Sequence, residues 1–184
     1  EAREAWRHEH YLDRPIPVRY ARYMEGVVTR FDFGRSYAPG EVEIGPELMN
    51  RFAATIELTL AALLIAVPVG IGVGVLGAVK RGRLVDYLAN MMAVFGNSIP
   101  IFWLGMVLLL AAIAAGFQKF NGRYDVAAYE DVIGGYSTKF YLFESLVRGE
   151  FRVAWDCAQY LLIPSLALST IPMAVITRMT RASV

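Results

Sequence analysis

One cysteine in 184 residues, Cys157, is too few for an internal disulfide or a cysteine-rich metal site. The only histidines, His8 and His10, stand two apart, and on a helix such positions do not face each other, so they make a poor metal pair. Charge is scarce: Asp, Glu, Lys and Arg form 19% of the chain and sum to +1, which leaves no basic footprint for nucleic acid. No G-x-x-x-x-G-K-[ST] stretch occurs, so any ATP-driven work needs a second chain to supply the phosphate-binding loop. No cofactor and no metal site is expected.

Three long stretches carry no charge at all. The first, Leu58 to Val79, is 22 residues, of which twelve are Leu, Ile or Val. At about 1.5 Å per residue it is long enough to cross a hydrocarbon core of roughly 30 Å, and each of those twelve contributes about −0.3 to −0.6 kcal/mol to insertion. Ala62, Ala66, Gly70, Gly74 and Ala78 recur every fourth residue as a stripe of small side chains, which lets two helix backbones approach within lipid. Pro68 withdraws a backbone donor in mid-run and predicts a bend. The stripe reads as a static packing seam or as a face that moves against its neighbour.

The second stretch, Tyr87 to Gln118, has 32 residues, about 48 Å if straight, and exceeds the core. Gly96-Asn97-Ser98-Ile99-Pro100 interrupts it, and Pro100 disfavours helical geometry at Ile99, so a kinked or broken helix is predicted. The third, Cys157 to Thr177, has 21 residues with Pro164 and Pro172 eight apart, both predicted to bend it on nearly the same side. Asn97, Ser98, Ser165 and Ser169 are polar groups beside these helix breaks. They read either as structural hydrogen bonders or as the lining of a solute pathway.

The fold class predicted is an all-α, polytopic membrane bundle with spans at about 55–79, 87–117 and 157–177. It is preceded by a polar, helical segment over 1–54 and interrupted by a polar loop over 118–156. Within 1–54, helices are expected over 1–11 and Val18–Arg30, with a short amphipathic helix Glu47–Phe52 along the membrane surface; within the loop, Phe140–Val147 is expected to be helical. The turn Lys80–Asp86 and the tail Arg178–Val184 together hold five Lys or Arg in 14 residues, whereas 119–156 holds five balanced by six acids. The positive-inside rule then places 80–86 and 178–184 in the cytoplasm and 1–54 and 118–156 outside. Arg178 and Arg181 are expected to reach lipid headgroups. A segment as polar as 1–54 does not cross unaided, so the chain reads as a fragment lacking an earlier span or signal.

Several segments resemble one family in order. Leu12-Asp13-Arg14-Pro15 is similar to the opening of the external segment in permeases of binding-protein-dependent peptide transporters. Phe31-Asp32-Phe33-Gly34-Arg35-Ser36 resembles their G-D-L-G-x-S, with Phe31 replacing the usual Gly, and Arg51-Phe52-Ala53-Ala54-Thr55-Ile56-Glu57-Leu58 resembles their R-x-x-A-T-x-E-L. Gly77-Ala78-Val79-Lys80-Arg81-Gly82 is similar to their first cytoplasmic turn, and Ser98-Ile99-Pro100-Ile101-Phe102-Trp103-Leu104-Gly105 to their S-x-P-x-F-W-x-G. Ile163-Pro164-Ser165-Leu166 and Arg178-Met179-Thr180-Arg181-Ala182-Ser183 resemble the last span and its exit.

The resemblance implies a permease of the dipeptide/oligopeptide ABC transporter family in a bacterial or archaeal inner membrane. Its implied partners are a second permease subunit, two ATP-binding subunits on the cytoplasmic side, an external solute-binding protein and the lipid bilayer, with ATP hydrolysis outside this chain. It also implies that the first span and the cytoplasmic docking loop with two further spans are missing, so that this piece alone would not hold the ATPase. The cargo stays open among dipeptides, oligopeptides, glutathione, nickel complexes and sugars. Two other classes compete. A membrane-anchored interaction module would use 1–54. An intramembrane enzyme would use Ser98, Ser165 or Ser169, but no His, Asp or Lys lies within a span to act as base.

Overall fold

The computed structural model describes residues 13–36, 42–117, 123–124, 135 and 138–184. The helix expected over 1–11 and the His8/His10 pair lie outside them. Six helices occur among the described residues: α1 (Ile16–Arg30), α2 (Ile44–Val79), α3 (Leu84–Ser98), α4 (Ile101–Ala114), α5 (Tyr141–Arg148) and α6 (Phe151–Ser183). The only bridge of β type among them joins Arg35 to Glu43. The chain divides into two compact units, Glu1–Phe52 and Ala53–Val184.

In the first unit, Pro15 and Pro17 begin α1 where missing N–H groups have no helical acceptor to lose, and Phe31 ends it in the left-handed region at φ 53°. The amide of Asp32 then bonds back to the Gly26 carbonyl at 3.2 Å, and Asp32 Oδ1 accepts from the Gly34 amide at 2.9 Å.

The short surface helix expected at Glu47–Phe52 is not a separate element. It is continuous with the span, and α2 runs unbroken for 36 residues. The cause is in the sequence. Pro46 falls in the first turn, where proline is tolerated, and no Gly or Pro follows until Pro68. Glu47 and Arg51 also pair one turn apart at 2.7 Å. The helix passes through Pro68 without ending, and α6 likewise passes through Pro164 and Pro172.

α2 and α6 are each long and apolar enough to cross a membrane. The second predicted span is sharper than a kink. α3 and α4 meet at 106° across Ile99-Pro100, and they make a third crossing only as a pair. At 15 and 14 residues they reach about 22 and 21 Å, so neither alone matches a 30 Å core. Ile99 adopts extended geometry (φ −80°, ψ 127°), as the residue before a proline prefers, and its amide closes α3 on the Phe95 carbonyl at 3.0 Å.

α6 is the central helix of the second unit, packing against α3, α4 and α5. It meets α2 along small residues. A Cβ on Gly70 would stand 2.9 Å from Ile176 Cγ2, and one on Gly74 would stand 2.7 Å from Thr180 Cβ. Thr177 Oγ1 donates to the Gly70 carbonyl at 3.3 Å, a contact that only close backbones allow. The buried face of α2 comprises Ala53, Glu57, Ala62, Ala66, Gly70, Gly74 and Gly77, and Ala78 is only half-buried.

Candidate functional site

At one end of this bundle, a cavity of about 440 Å³ opens among α2, α4, α5 and α6. Its walls are largely apolar, with Leu58, Leu109 and Pro164 among them, and its charged corner is Glu57 beside Arg123. Tyr124, Tyr141 and Tyr160 line it too, and Tyr124 and Tyr160 meet edge to face at 5.9 Å.

Glu57 is the residue that assembles this corner. It is 8% exposed and sits one residue before the uncharged run of α2. Helix α5 begins at Tyr141 with no side-chain cap of its own, so its first amides need acceptors from elsewhere. Glu57 Oε1 accepts from the Leu142 amide at 2.7 Å and from the Phe143 amide at 3.4 Å. A carboxylate at a helix N-terminus also faces the positive end of the peptide dipoles. Its other oxygen accepts from Arg123 Nη2 at 3.3 Å, and the guanidinium lies 4.0 Å over the Tyr141 ring while also donating to the Lys139 carbonyl. Span, loop and α5 are thereby tied at one carboxylate.

At the other end, Asp86 in the first turn of α3 pairs with Arg181 near the end of α6 at 2.6 Å, and the Asp86 side chain is buried. Asp86 Oδ2 also accepts from the Gly82 amide at 3.0 Å, where Gly82 holds a φ of 74° that a side chain would strain. Asn90 donates to Asp86 Oδ1 at 3.5 Å. Arg181 therefore meets a carboxylate of its own chain, which corrects the expectation that it reaches lipid headgroups. Asp86→Asn or Arg181→Asp alone is expected to lower the thermal midpoint of the full-length protein in detergent. The double exchange Asp86→Arg with Arg181→Asp should recover part of the loss. No recovery would mean that the Gly82 contact, not the ion pair, matters.

The polar residues singled out from sequence do not gather in the cavity. Asn97 and Ser98 are exposed at the end of α3, and Ser165 and Ser169 are buried in α6. The two serine hydroxyls donate to the carbonyls of Leu162 and Leu166 at 3.0 and 2.8 Å, three residues back in their own helix. The helix packing at the break is tight: a Cβ on Gly96 would lie 3.1 Å from the Thr170 carbonyl oxygen. The Glu57–Arg123 corner and the Asp86–Arg181 pair were not picked out from sequence as sites. The available signal was an acid immediately before each uncharged run, Glu57 before Leu58 and Asp86 before Tyr87. Among the described residues, no three His, Cys, Asp or Glu side chains cluster as a metal site.

Comparison with known proteins defines the class. Residues 66–184 match the family described as "Binding-protein-dependent transport system inner membrane component", and the chain belongs to that family. It is 38% identical over 173 residues to the dipeptide transport system permease protein DppB of Escherichia coli K12, which covers 94% of this chain and 50% of that protein. It is 36% identical to the DppB of Alkalihalophilus pseudofirmus and 35% identical to the di/tripeptide permease protein DppB of Pseudomonas aeruginosa, with the same shares covered. The chain spans about half the length of the curated relatives it matches. It is a multi-pass, membrane-embedded, all-α chain of a transport family.

Proposed function

We propose that this chain is part of the permease subunit of a binding-protein-dependent ABC importer for dipeptides or related small solutes. The observation that carries the reading is 38% identity, sustained over 94% of the chain, to a protein named as a dipeptide permease. The two span-length helices and the broken third crossing support it. In this reading a second permease subunit completes the pathway, two ATP-binding subunits dock on the cytoplasmic side, and an external binding protein delivers the solute. This chain conducts the solute and hydrolyses nothing.

The orientation proposed puts 80–86 and 178–184 in the cytoplasm and 1–54 and 118–156 outside, supported by the charge asymmetry of the loops. Asn97 and Ser98 line the solute route, because their side chains are exposed where the backbone leaves helical geometry. Ser165 and Ser169 flank that route on α6, whose Thr170 carbonyl approaches Gly96. Pro68, Pro164 and Pro172 kink the long helices, each withdrawing one backbone donor within a continuous helix.

The test uses the full-length protein with its transport partners. Asn97→Leu is expected to reduce dipeptide uptake at least several-fold while the subunits still co-purify; unchanged uptake would leave Asn97 with a structural role only. A single cysteine replacing the exposed turn residue Arg81 should be labelled by an impermeant reagent only from the cytoplasmic side. Labelling from outside would reverse the orientation.

A further inference from the structure

Helix α5 is amphipathic in the inverse sense of a helix that meets water. Its buried side carries Glu144, which accepts from the Thr138 amide at 3.2 Å, from the Thr138 hydroxyl at 2.6 Å and from Arg148 Nη2 at 2.5 Å. Ser145 is buried beside it and donates to the Leu142 carbonyl at 2.9 Å. The exposed side holds Phe143 (65% exposed), Leu146 and Val147 (71%), at the i, i+3, i+4 spacing of one helix face. After the left-handed turn at Gly149 the same character resumes in α6 with Phe151 (72%) and Trp155 (68%), one turn apart. Polar groups turned inward and five large apolar groups turned outward describe a face that does not meet water.

Three observations choose what covers it. α6 continues from this patch directly into the uncharged run Cys157–Thr177, so Trp155 stands two residues from the apolar layer. α5 is fixed by Glu57, which itself stands one residue before the uncharged run of α2, so both span-length helices enter at this level. The patch is also rich in Phe and Trp with the exposed Arg152 beside it, the composition of a helix lying in the headgroup boundary with aromatics inward and cations at the phosphates.

We propose that α5 and the first turns of α6 form an interfacial helix pair. Phe143, Leu146, Val147, Phe151 and Trp155 insert into the edge of the bilayer at the Glu57 end, and Arg152 meets anionic headgroups. The Glu57 contact to the α5 amides fixes the depth of this helix relative to the mouth of α2.

The test places a single cysteine at 143 or, in a second variant, at 147 of the full-length protein with other cysteines removed. Each is labelled with an environment-sensitive nitrobenzoxadiazole and reconstituted in nanodiscs of phosphatidylethanolamine and phosphatidylglycerol. Quenching by a lipid nitroxide near the glycerol backbone should exceed quenching by aqueous iodide several-fold, and should persist when the partner subunits of the transport system are co-assembled. Iodide as the stronger quencher at both positions would mean a water-facing helix and overturn the proposal. Nitroxide quenching that disappears on assembly would mean a protein-covered face and overturn it equally. Should one variant fail to fold, the other decides, since Phe143 and Val147 lie on one face.

Discussion

Gly74→Leu is expected to separate α2 from α6 and to destabilise the full-length protein by roughly 1–3 kcal/mol or more, the range for adding bulk where packing leaves no room. A Cβ alone at this position would lie 2.7 Å from Thr180 Cβ and 2.9 Å from the Thr177 carbonyl oxygen. The second of these atoms belongs to the α6 backbone, so no rotamer change relieves the clash. Gly70 is nearly as tight, and moving the helices apart would also break the Thr177 hydroxyl contact to the Gly70 carbonyl. Gly72 supplies the control. It lies in the same helix between the two, and nothing stands within 4 Å of a Cβ built there. Gly72→Leu should therefore be neutral or slightly stabilising, since leucine is a better helix former than glycine. Thermal unfolding of both variants in matched detergent reads the difference. Equal loss from both would show that the destabilisation does not come from the α2–α6 approach, since Gly72 has nothing within 4 Å of a built Cβ.

The same helix shows how far the sequence could be read. Uncharged length marked the spans, and the small-residue stripe marked a face. Stepping by four residues advances about 40° beyond a full turn each time, so a strict every-fourth pattern drifts around the helix. By the fifth member the drift from Ala62 is about 160°, whereas Gly77 stands only about 60° away. Burial of Gly77 and half-burial of Ala78 follow from that geometry. The position of the break in the second crossing was legible from Gly96 and Pro100, because proline acts on its immediate neighbours. Its 106° magnitude was not, since it depends on how α4 packs on α6. Helix α5 was placed to within one residue at each end, from Phe140–Val147 expected to Tyr141–Arg148 observed. What escaped was long-range charge pairing. Glu57 and Arg123 are 66 residues apart and Asp86 and Arg181 are 95 apart, and nothing local to any of the four names its partner.

Glu57→Ala is expected to cost about 3 kcal/mol, at the low end of what removing one member of a buried ion pair does, because Arg123 keeps the Lys139 carbonyl and the Tyr141 ring. The larger part of the loss falls on α5. Its Leu142 and Phe143 amides lose their acceptor, and the helix has no cap of its own to replace it. Glu57→Gln separates the two contributions. An amide oxygen still accepts from Leu142, but the charge that favours the helix N-terminus and Arg123 is gone, so a loss of about 1 kcal/mol is expected. Hydrogen–deuterium exchange on the full-length protein gives the local readout. In Glu57→Ala the amides of 142–149 should exchange much faster, in Glu57→Gln modestly faster, while those around Thr177 at the far end of α6 stay unchanged. Glu57 would then be the point at which α5 is attached to the mouth of α2. Uniform acceleration across α2, α5 and α6 would instead mean that Glu57 supports the whole bundle, and the attachment to α5 would lose its special place.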